Sequence, residues 1–290
     1  MMYKIAGNYY SDSFLRNIIG IFVNGSDDNW DVDVLLANTI RQSVAYNTEW
    51  IKATSLPKAR KIMNQLYKAA ADAQGTVNGY ESSTCCLLQR GKILAATRNI
   101  SGYHIANYQV RVCFGGRDIY LYFKDYELTR EVLTDIYSSD SSKMMIVDKL
   151  GMINRDIIPS IRTIEFAPKI REGDILLGME VNYTSKDCSG TLLVETLNFG
   201  LFEDKESVSK TIASLAKECG LPHSKYFAFD RDKVYAAQFN PGYDVFSITL
   251  EYPDERLYHI TVDPEDDDLL QELREDLKNF LALEKEIKQV

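Results

Sequence analysis

The chain has 290 residues, 45% hydrophobic and 26% charged, with a net charge of −9. This is the composition of a globular chain with room for one large domain or two small ones. The acidic balance argues against nucleic acid and anionic lipid as main partners. No apolar run reaches the ~18 residues that suggest a membrane span. Residues 1–8 lack a signal peptide's long apolar region, so a cytoplasmic location and no membrane partner are expected. The five cysteines form no CxxC pair and histidine is scarce, which points to reduced thiols rather than zinc.

In chain order, residues 3–6 and 13–23 read as strands. The second ends in the apolar run Ile18-Ile19-Gly20-Ile21-Phe22-Val23, followed by Asn24-Gly25-Ser26-Asp27-Asp28. A short run without alternation, stopped by turn residues, predicts a strand buried on both faces. Its tip carries Val23, which has no chemistry. Residues 31–46 read as a helix, with Val32, Leu35, Leu36, Ile40 and Val44 on one face. A second helix is predicted over 57–73, opened by Pro57 and closed by Gly75. Residues 83–88 and 92–97 read as a hairpin, followed by strands over 104–114 and 118–123.

Residues 128–136 read as a helix and 144–150 as a short helix ended by Gly151. Residues 160–166 extend. Arg171-Glu172-Gly173-Asp174 is a turn into the apolar run 175–179, which ends at Glu180. Residues 193–199 form a segment too short to assign. A helix over 206–219 stops at Gly220, and 234–239 and 245–252 read as strands. Residues 257–262 add a strand. The acidic run after Pro264 starts a helix reaching about residue 287, with Leu270, Leu273, Leu277, Phe280 and Ile287 as its stripe. Such a run is a solvated helix start, not a metal site. Helices grouped apart from strands predict an α+β layered fold, with two sheets packed face to face and helices outside each.

The order of these pieces resembles the PP2C-type (PPM) metal-dependent Ser/Thr protein phosphatase family over roughly residues 3–252. That family carries Asn-Glu-Asp before a strand ending in Phe-Asp-Gly-His-Gly-Gly. This chain has Tyr10-Ser11-Asp12 before Phe22-Val23-Asn24-Gly25. Two helices follow in both. Ser82-Ser83-Thr84-Cys85 is similar to the Gly-Ser-Thr-Ala-like strand, and Arg98 to Gly102 to Val-Gly-Asp-Ser-Arg. Lys149-Leu150-Gly151 through Pro159 resembles the Leu-Gly-rich segment. Arg171 to Val181 resembles Pro-Gly-Asp-x-Leu-Leu-Leu-x-(Ser/Thr)-Asp-Gly, and Asp244-Val245-Phe246-Ser247-Ile248 resembles Asp-Asn-Ile-Thr-Val. The segment from Ser83 also looks like the N-terminal hairpin of proteasome-type hydrolases. Those need a processed N-terminal nucleophile, and here the match starts about 80 residues in.

The resemblance implies a four-layer α/β/β/α sandwich of two antiparallel sheets flanked by helices. It implies a domain over 1–252 and a strand-helix extension over 253–290, docked on that domain or used in a homodimer. Family members hydrolyse phosphoserine and phosphothreonine with two Mn²⁺ or Mg²⁺ ions, which needs carboxylates holding ions ~3.5–4 Å apart. The bridging aspartate falls on Val23, the Gly-Asp-Ser-Arg aspartate on Ile100 and the phosphate-binding arginine on Gly7. Asp12, Glu180 and Asp244 remain as metal-site candidates. The expectation is a pseudophosphatase that binds a protein partner, such as a phosphoprotein or a kinase-pathway component, without a cofactor. The alternative is a divergent phosphatase with a rebuilt Mn or Mg site, in which Asp27, Asp28 or Asp31 replaces the bridge. The competing role for those aspartates is helix N-capping.

Overall fold

The computed structural model describes residues 2–26, 29–40, 43–76, 80–81, 84–88, 93–100, 108–113, 118–123, 126–139, 142–147, 151–171, 174–186, 192–200, 202–240, 245–252, 257–262 and 267–281. The chain divides into two compact units, Met1–Asp156 with Lys186–Leu192, and Ile157–Ser185 with Leu193–Val290. Both mix helices with antiparallel sheets, an α+β architecture.

The first unit opens with the hairpin of β1 (Met2–Ile5) and β2 (Asn8–Ser11). A short helix, α1 (Asp12–Arg16), follows; the Ser11 hydroxyl caps it by accepting from the Phe14 N–H. Next come β3 (Ile18–Ser26), β4 (Asn29–Ile40) and β5 (Ser43–Ala53), paired as a meander. Helix α2 (Leu56–Gln74) buries Ala59, Ile62, Met63, Leu66, Ala70 and Ala73. Ser55 caps its start, and Gly75, at φ 65, takes the left-handed turn that ends it. The Gln74 amide donates to the carbonyls of Leu15 and Ile18, fixing the helix end to the start of β3. Strands β6 (Tyr80–Glu81) and β7 (Cys85–Leu87) complete a sheet ordered β5-β4-β3-β7-β6.

A second sheet of this unit contains β8 (Ala95–Ile100), β9 (Tyr108–Cys113), β10 (Asp118–Phe123), β11 (Met144–Val147) and β12 (Gly151–Asn154), ordered β10-β9-β8-β12-β11. Helix α3 (Tyr126–Ser139) lies between β10 and β11 in the chain. One apolar core draws Ile21, Val34, Leu66, Val112, Leu121 and Val132 from both sheets and both long helices. The Thr84 hydroxyl donates to Asp135 of α3 at 2.7 Å, and Arg60 of α2 pairs with Glu131 of α3 at 3.2 Å.

The second unit holds β13 (Ile161–Phe166), β14 (Lys169–Arg171), β15 (Asp174–Leu176), β16 (Gly178–Lys186) and β17 (Leu192–Gly200). Helix α4 (Lys205–Cys219) follows, capped by Asp204 and ended by Gly220. Strands β18 (Phe227–Phe229), β19 (Val234–Asn240), β20 (Val245–Glu251) and β21 (Leu257–Val262) precede the helix α5 (Asp267–Leu281). The main sheet runs β17-β16-β13-β18, and β19-β20-β21 is a separate meander. The α4 residues Val208, Ile212, Leu215 and Ala216 are buried, with the helix lying on β13 and β18.

Helix α5 packs within its own unit. Leu269, Leu270, Leu273, Leu277 and Phe280 are buried, and Phe280 meets Phe229 edge to face. Asp276 accepts from the Ser224 hydroxyl and from the Lys225 and Tyr226 N–H groups. Burial alone would raise the Glu272 carboxyl, but hydrogen bonds from Lys205, Lys225 and Tyr226 hold it down at about 2. Ile287 lies outside the described residues.

Several sequence expectations are corrected. Within the expected helix 31–46, residues 31–40 and 43–46 form strands. The segment alternates Asp31-Val32-Asp33-Val34 and pairs on both sides, with β3 and with β5. Its β-branched residues favour that pairing over a helix, whose stripe the apolar positions also happened to satisfy. The connection between β3 and β4 falls four residues past Val23, because Ser26 still pairs with Asn29. Gly25 sits inside the pair at φ 123, where a Cβ would come within 2.2 Å of the Asn29 carbonyl oxygen. Residues 13–16 belong to α1, since Ser11 caps a helical turn there. Among the described residues the expected 83–97 hairpin does not form: β7 pairs with β3 and β6, whereas β8 pairs with β9 and β12. Residues 144–147 form β11, which hairpins with β12, so Gly151 opens a strand instead of closing a helix.

Candidate functional site

The residues singled out from sequence are divided between the two units or lie outside the described residues. Asp12 lies in the first turn of α1 in the first unit. The Arg16 guanidinium donates to it at 2.6 Å and the Tyr3 hydroxyl at 3.3 Å. The Arg16 hydrogen bond holds its carboxyl below the usual carboxylate range. Glu180 belongs to the second unit, inside β16 and half-buried, where it faces Glu165 across the β13–β16 pair. Asp244, Asp27 and Asp28 lie outside the described residues. Val23 is 1% exposed and part of the apolar core, and β3 continues beyond it to Ser26. Neither Val23 nor Glu180 ends its strand. Gly7 turns the first hairpin at φ 85, and Ile100 ends β8.

What the first unit does assemble is a buried polar cluster on the β3–β4 pair. Directly opposed residues of an antiparallel pair share a face, and so do residues two apart on one strand. Asn24 opposes Asp31 and Phe22 opposes Asp33, so Asn24, Asp31 and Asp33 lie together. The Asn24 amide donates to Asp33 Oδ2 at 3.0 Å, and its oxygen accepts from the Tyr122 N–H at 2.6 Å. Asp31 Oδ2 takes the Lys52 ammonium at 3.0 Å. The two remaining oxygens, Asp31 Oδ1 and Asp33 Oδ1, are buried and accept no hydrogen bond. Asp33 is 1% exposed. Burial raises its carboxyl to about 7, against the Asn24 hydrogen bond, and the charge of Asp31 adds to the rise.

The second unit builds a related cluster on β13, β16 and β17. Thr163 opposes Asn182, and Glu165 opposes Glu180. The Asn182 amide donates to Thr163 Oγ1 at 2.8 Å and to Glu165 Oε1 at 2.9 Å. Its own oxygen accepts from the Thr196 hydroxyl. Asn182 therefore uses both its donors and its acceptor. Glu165 is 6% exposed. Burial raises its carboxyl to about 8, with Glu180 adding to the rise and the Asn182 hydrogen bond opposing it.

Sequence reasoning passed over Asp33, Asn24, Glu165 and Asn182. The signal for Asp33 was the two-residue alternation of acid and valine, which fits a strand with one acidic face. Asn24 read only as a turn former. Glu165 and Asn182 are 17 residues apart and carry no local motif. Among the described residues the thiols offer no nucleophile: Cys85, Cys86 and Cys113 are buried, and burial pushes the Cys219 thiol up to about 12. Among the described residues, no three His, Cys, Asp or Glu side chains group to hold a metal ion. No helix among them is long and apolar enough to cross a membrane.

Compared with known proteins, the chain matches no family model, no curated protein and no solved structure.

Proposed function

We propose that this chain is a PP2C-like pseudophosphatase, a binding or regulatory module rather than a hydrolase. The observation that carries the reading is Val23. By the resemblance it falls on the family's bridging aspartate, and its side chain is closed into the apolar core. An isopropyl group cannot ligate Mg²⁺ or Mn²⁺. Asp12 supports the same reading, because Arg16 already neutralises it. The finer architecture in this proposal is the family's four-layer sandwich. Strands β4 and β5, where the family carries helix, are the largest departure from its pattern.

A binding role calls for accessible side chains that anchor a partner, and exposed aromatics do this best. Trp50 is 63% exposed, and Tyr9, Tyr120 and Tyr235 are exposed as well. The partner proposed is a protein, a phosphoprotein or a kinase-pathway component. The test is hydrolysis of p-nitrophenyl phosphate and of phosphoserine and phosphothreonine peptides by the full chain with Mn²⁺. No turnover is expected. Mn²⁺-dependent turnover that falls in Asp12→Asn or Glu180→Gln would overturn the proposal in favour of a divergent metal-dependent phosphatase.

A further inference from the structure

We propose that Asp31 and Asp33 form a binding site for one hard divalent cation of the Mg²⁺ or Mn²⁺ kind on the β3–β4 pair. The inference goes beyond the pseudophosphatase reading and does not depend on it. Asp33 has no counterpart in the family's metal set, and Asp31 entered the sequence reading only as a replacement for its bridging aspartate.

Three observations carry it. The first is placement. Asp31 and Asp33 are two residues apart on one strand, so both carboxylates stand on one face. The second is the pair of orphaned oxygens. Asp31 Oδ1 and Asp33 Oδ1 are both buried and both lack a partner, and Asp33 is 1% exposed. Buried polar atoms are almost always satisfied, and a buried carboxylate oxygen without a donor is costly. Two carboxylates on one face of a strand also repel each other. The third is charge. Among the described residues, the only cation bonded to either carboxylate is Lys52, and its side chain is largely exposed. One ammonium leaves the pair short of one positive charge, which a divalent ion supplies with charge to spare.

The donor set selects the kind of ion. Oxygen-only ligands suit hard cations and not zinc or copper. Two carboxylate oxygens are too few for Ca²⁺, which takes 6–8 oxygens, whereas Mg²⁺ and Mn²⁺ keep several waters beside one or two carboxylates. Asn24 holds Asp33 in place from the other side: its amide fixes Oδ2, and the Tyr122 N–H fixes the Asn24 oxygen. Oδ1 is left as the free ligand atom. Such a supporting hydrogen bond is what orients a metal-binding carboxylate.

The experiment titrates Mn²⁺ into the metal-free full chain, followed by calorimetry and by loss of the free-ion electron paramagnetic resonance signal, with Mg²⁺ and Ca²⁺ as competitors. One saturable Mn²⁺ per chain is expected, displaced by Mg²⁺ more readily than by Ca²⁺. Asp33→Asn, which keeps the side-chain shape, is expected to weaken binding roughly ten-fold or more. Asp31→Asn, at the more exposed carboxylate, gives the same direction should the first variant fold poorly. Lys52→Met is expected to tighten binding, because it removes the competing ammonium from Asp31. Glu165→Gln, which neutralises a buried carboxyl elsewhere, leaves binding unchanged. No saturable binding overturns the proposal, and that is the result if the two carboxylates share a proton instead. Binding retained in both aspartate variants overturns it as well. Phosphate ester turnover plays no part in these readings, so this site and the pseudophosphatase proposal can fail independently.

Discussion

Asp33 in the first unit and Glu165 in the second begin alike. Each sits within a strand, each is buried, and each accepts a hydrogen bond from an asparagine on the next strand. Each also has a second carboxylate close by, Asp31 or Glu180, that raises its affinity for a proton. They differ in what surrounds the asparagine. Asn182 is ringed by side-chain hydroxyls, Thr163 and Thr196, and every hydrogen-bonding atom of its amide is used between side chains. Asn24 spends its oxygen on a backbone N–H, and the carboxylate it supports keeps an unsatisfied oxygen, as does Asp31 on the same strand face. A closed polar network rigidifies a sheet, whereas a partly satisfied one stays costly until something supplies the missing partner. The same pairing of acid and amide thus serves a structural end in one unit and a binding end in the other.

Breaking the asparagines should produce the largest effects. Asn182→Leu removes the hydrogen bonds that Asn182 makes with Glu165, Thr163 and Thr196 at once, and about 3–5 kcal/mol of stability should be lost in urea unfolding. Asn24→Leu strips Asp33 and the Tyr122 N–H, at a cost of about 2–4 kcal/mol. The comparison sharpens when Mg²⁺ is added. It should recover part of the loss in Asn24→Leu and none in Asn182→Leu.

A middle-sized effect is expected from pH. The Glu165 carboxyl is raised from 4.5 to about 8 by burial and by Glu180. Below the lower value it is protonated whether the chain is folded or not, and it contributes nothing to the pH dependence. Between the two values the folded chain retains a proton that the unfolded chain has released. Stability should therefore fall as pH rises through this window, by at most about 1.4 kcal/mol per pH unit from this group. Above about 8 the loss is complete. Glu165→Gln should remove this share of the slope, as read from urea midpoints across the pH range. A slope unchanged by the substitution would show that Glu165 ionises freely in the folded chain.

The smallest effect is expected at the rim. Lys52 is largely exposed, and its pair with Asp31 is worth under about 1 kcal/mol. Lys52→Met should barely move the thermal midpoint without metal, even though it strengthens the response to Mg²⁺. A large loss of stability would mean that Lys52, not a cation, balances the pair.

Parts of this molecule were legible because their signals are local. Helix α2 announces itself by Pro57, its apolar stripe and Gly75, and α4 by its stripe and Gly220. Caps and stripes act over one or two turns, so a short window contains them. Strand β4 was misread because Val32, Leu35 and Leu36 fit a helical stripe as well as a buried strand. The decision belonged to β3 and β5, which pair with it from outside the window. That error hid the site, since Asp31 and Asp33 share a face only on a strand. The candidates Asp12 and Glu180 came from resemblance. The structure places them in separate units and gives each its own local surroundings. The Glu165 network joins residues 14 and 17 apart through side chains, and no spacing rule foretells such contacts.

The most direct test of the difference between the two carboxylates is the urea midpoint of wild type, Asp33→Asn and Glu165→Gln near neutral pH, each in EDTA and in millimolar Mg²⁺. A ligand that binds only the folded chain raises its stability by mass action. Mg²⁺ should raise the midpoint of wild type and of Glu165→Gln by equal amounts and leave Asp33→Asn unmoved. An equal rise in all three, or in none, would contradict the assignment of an open site to Asp33 and a closed one to Glu165.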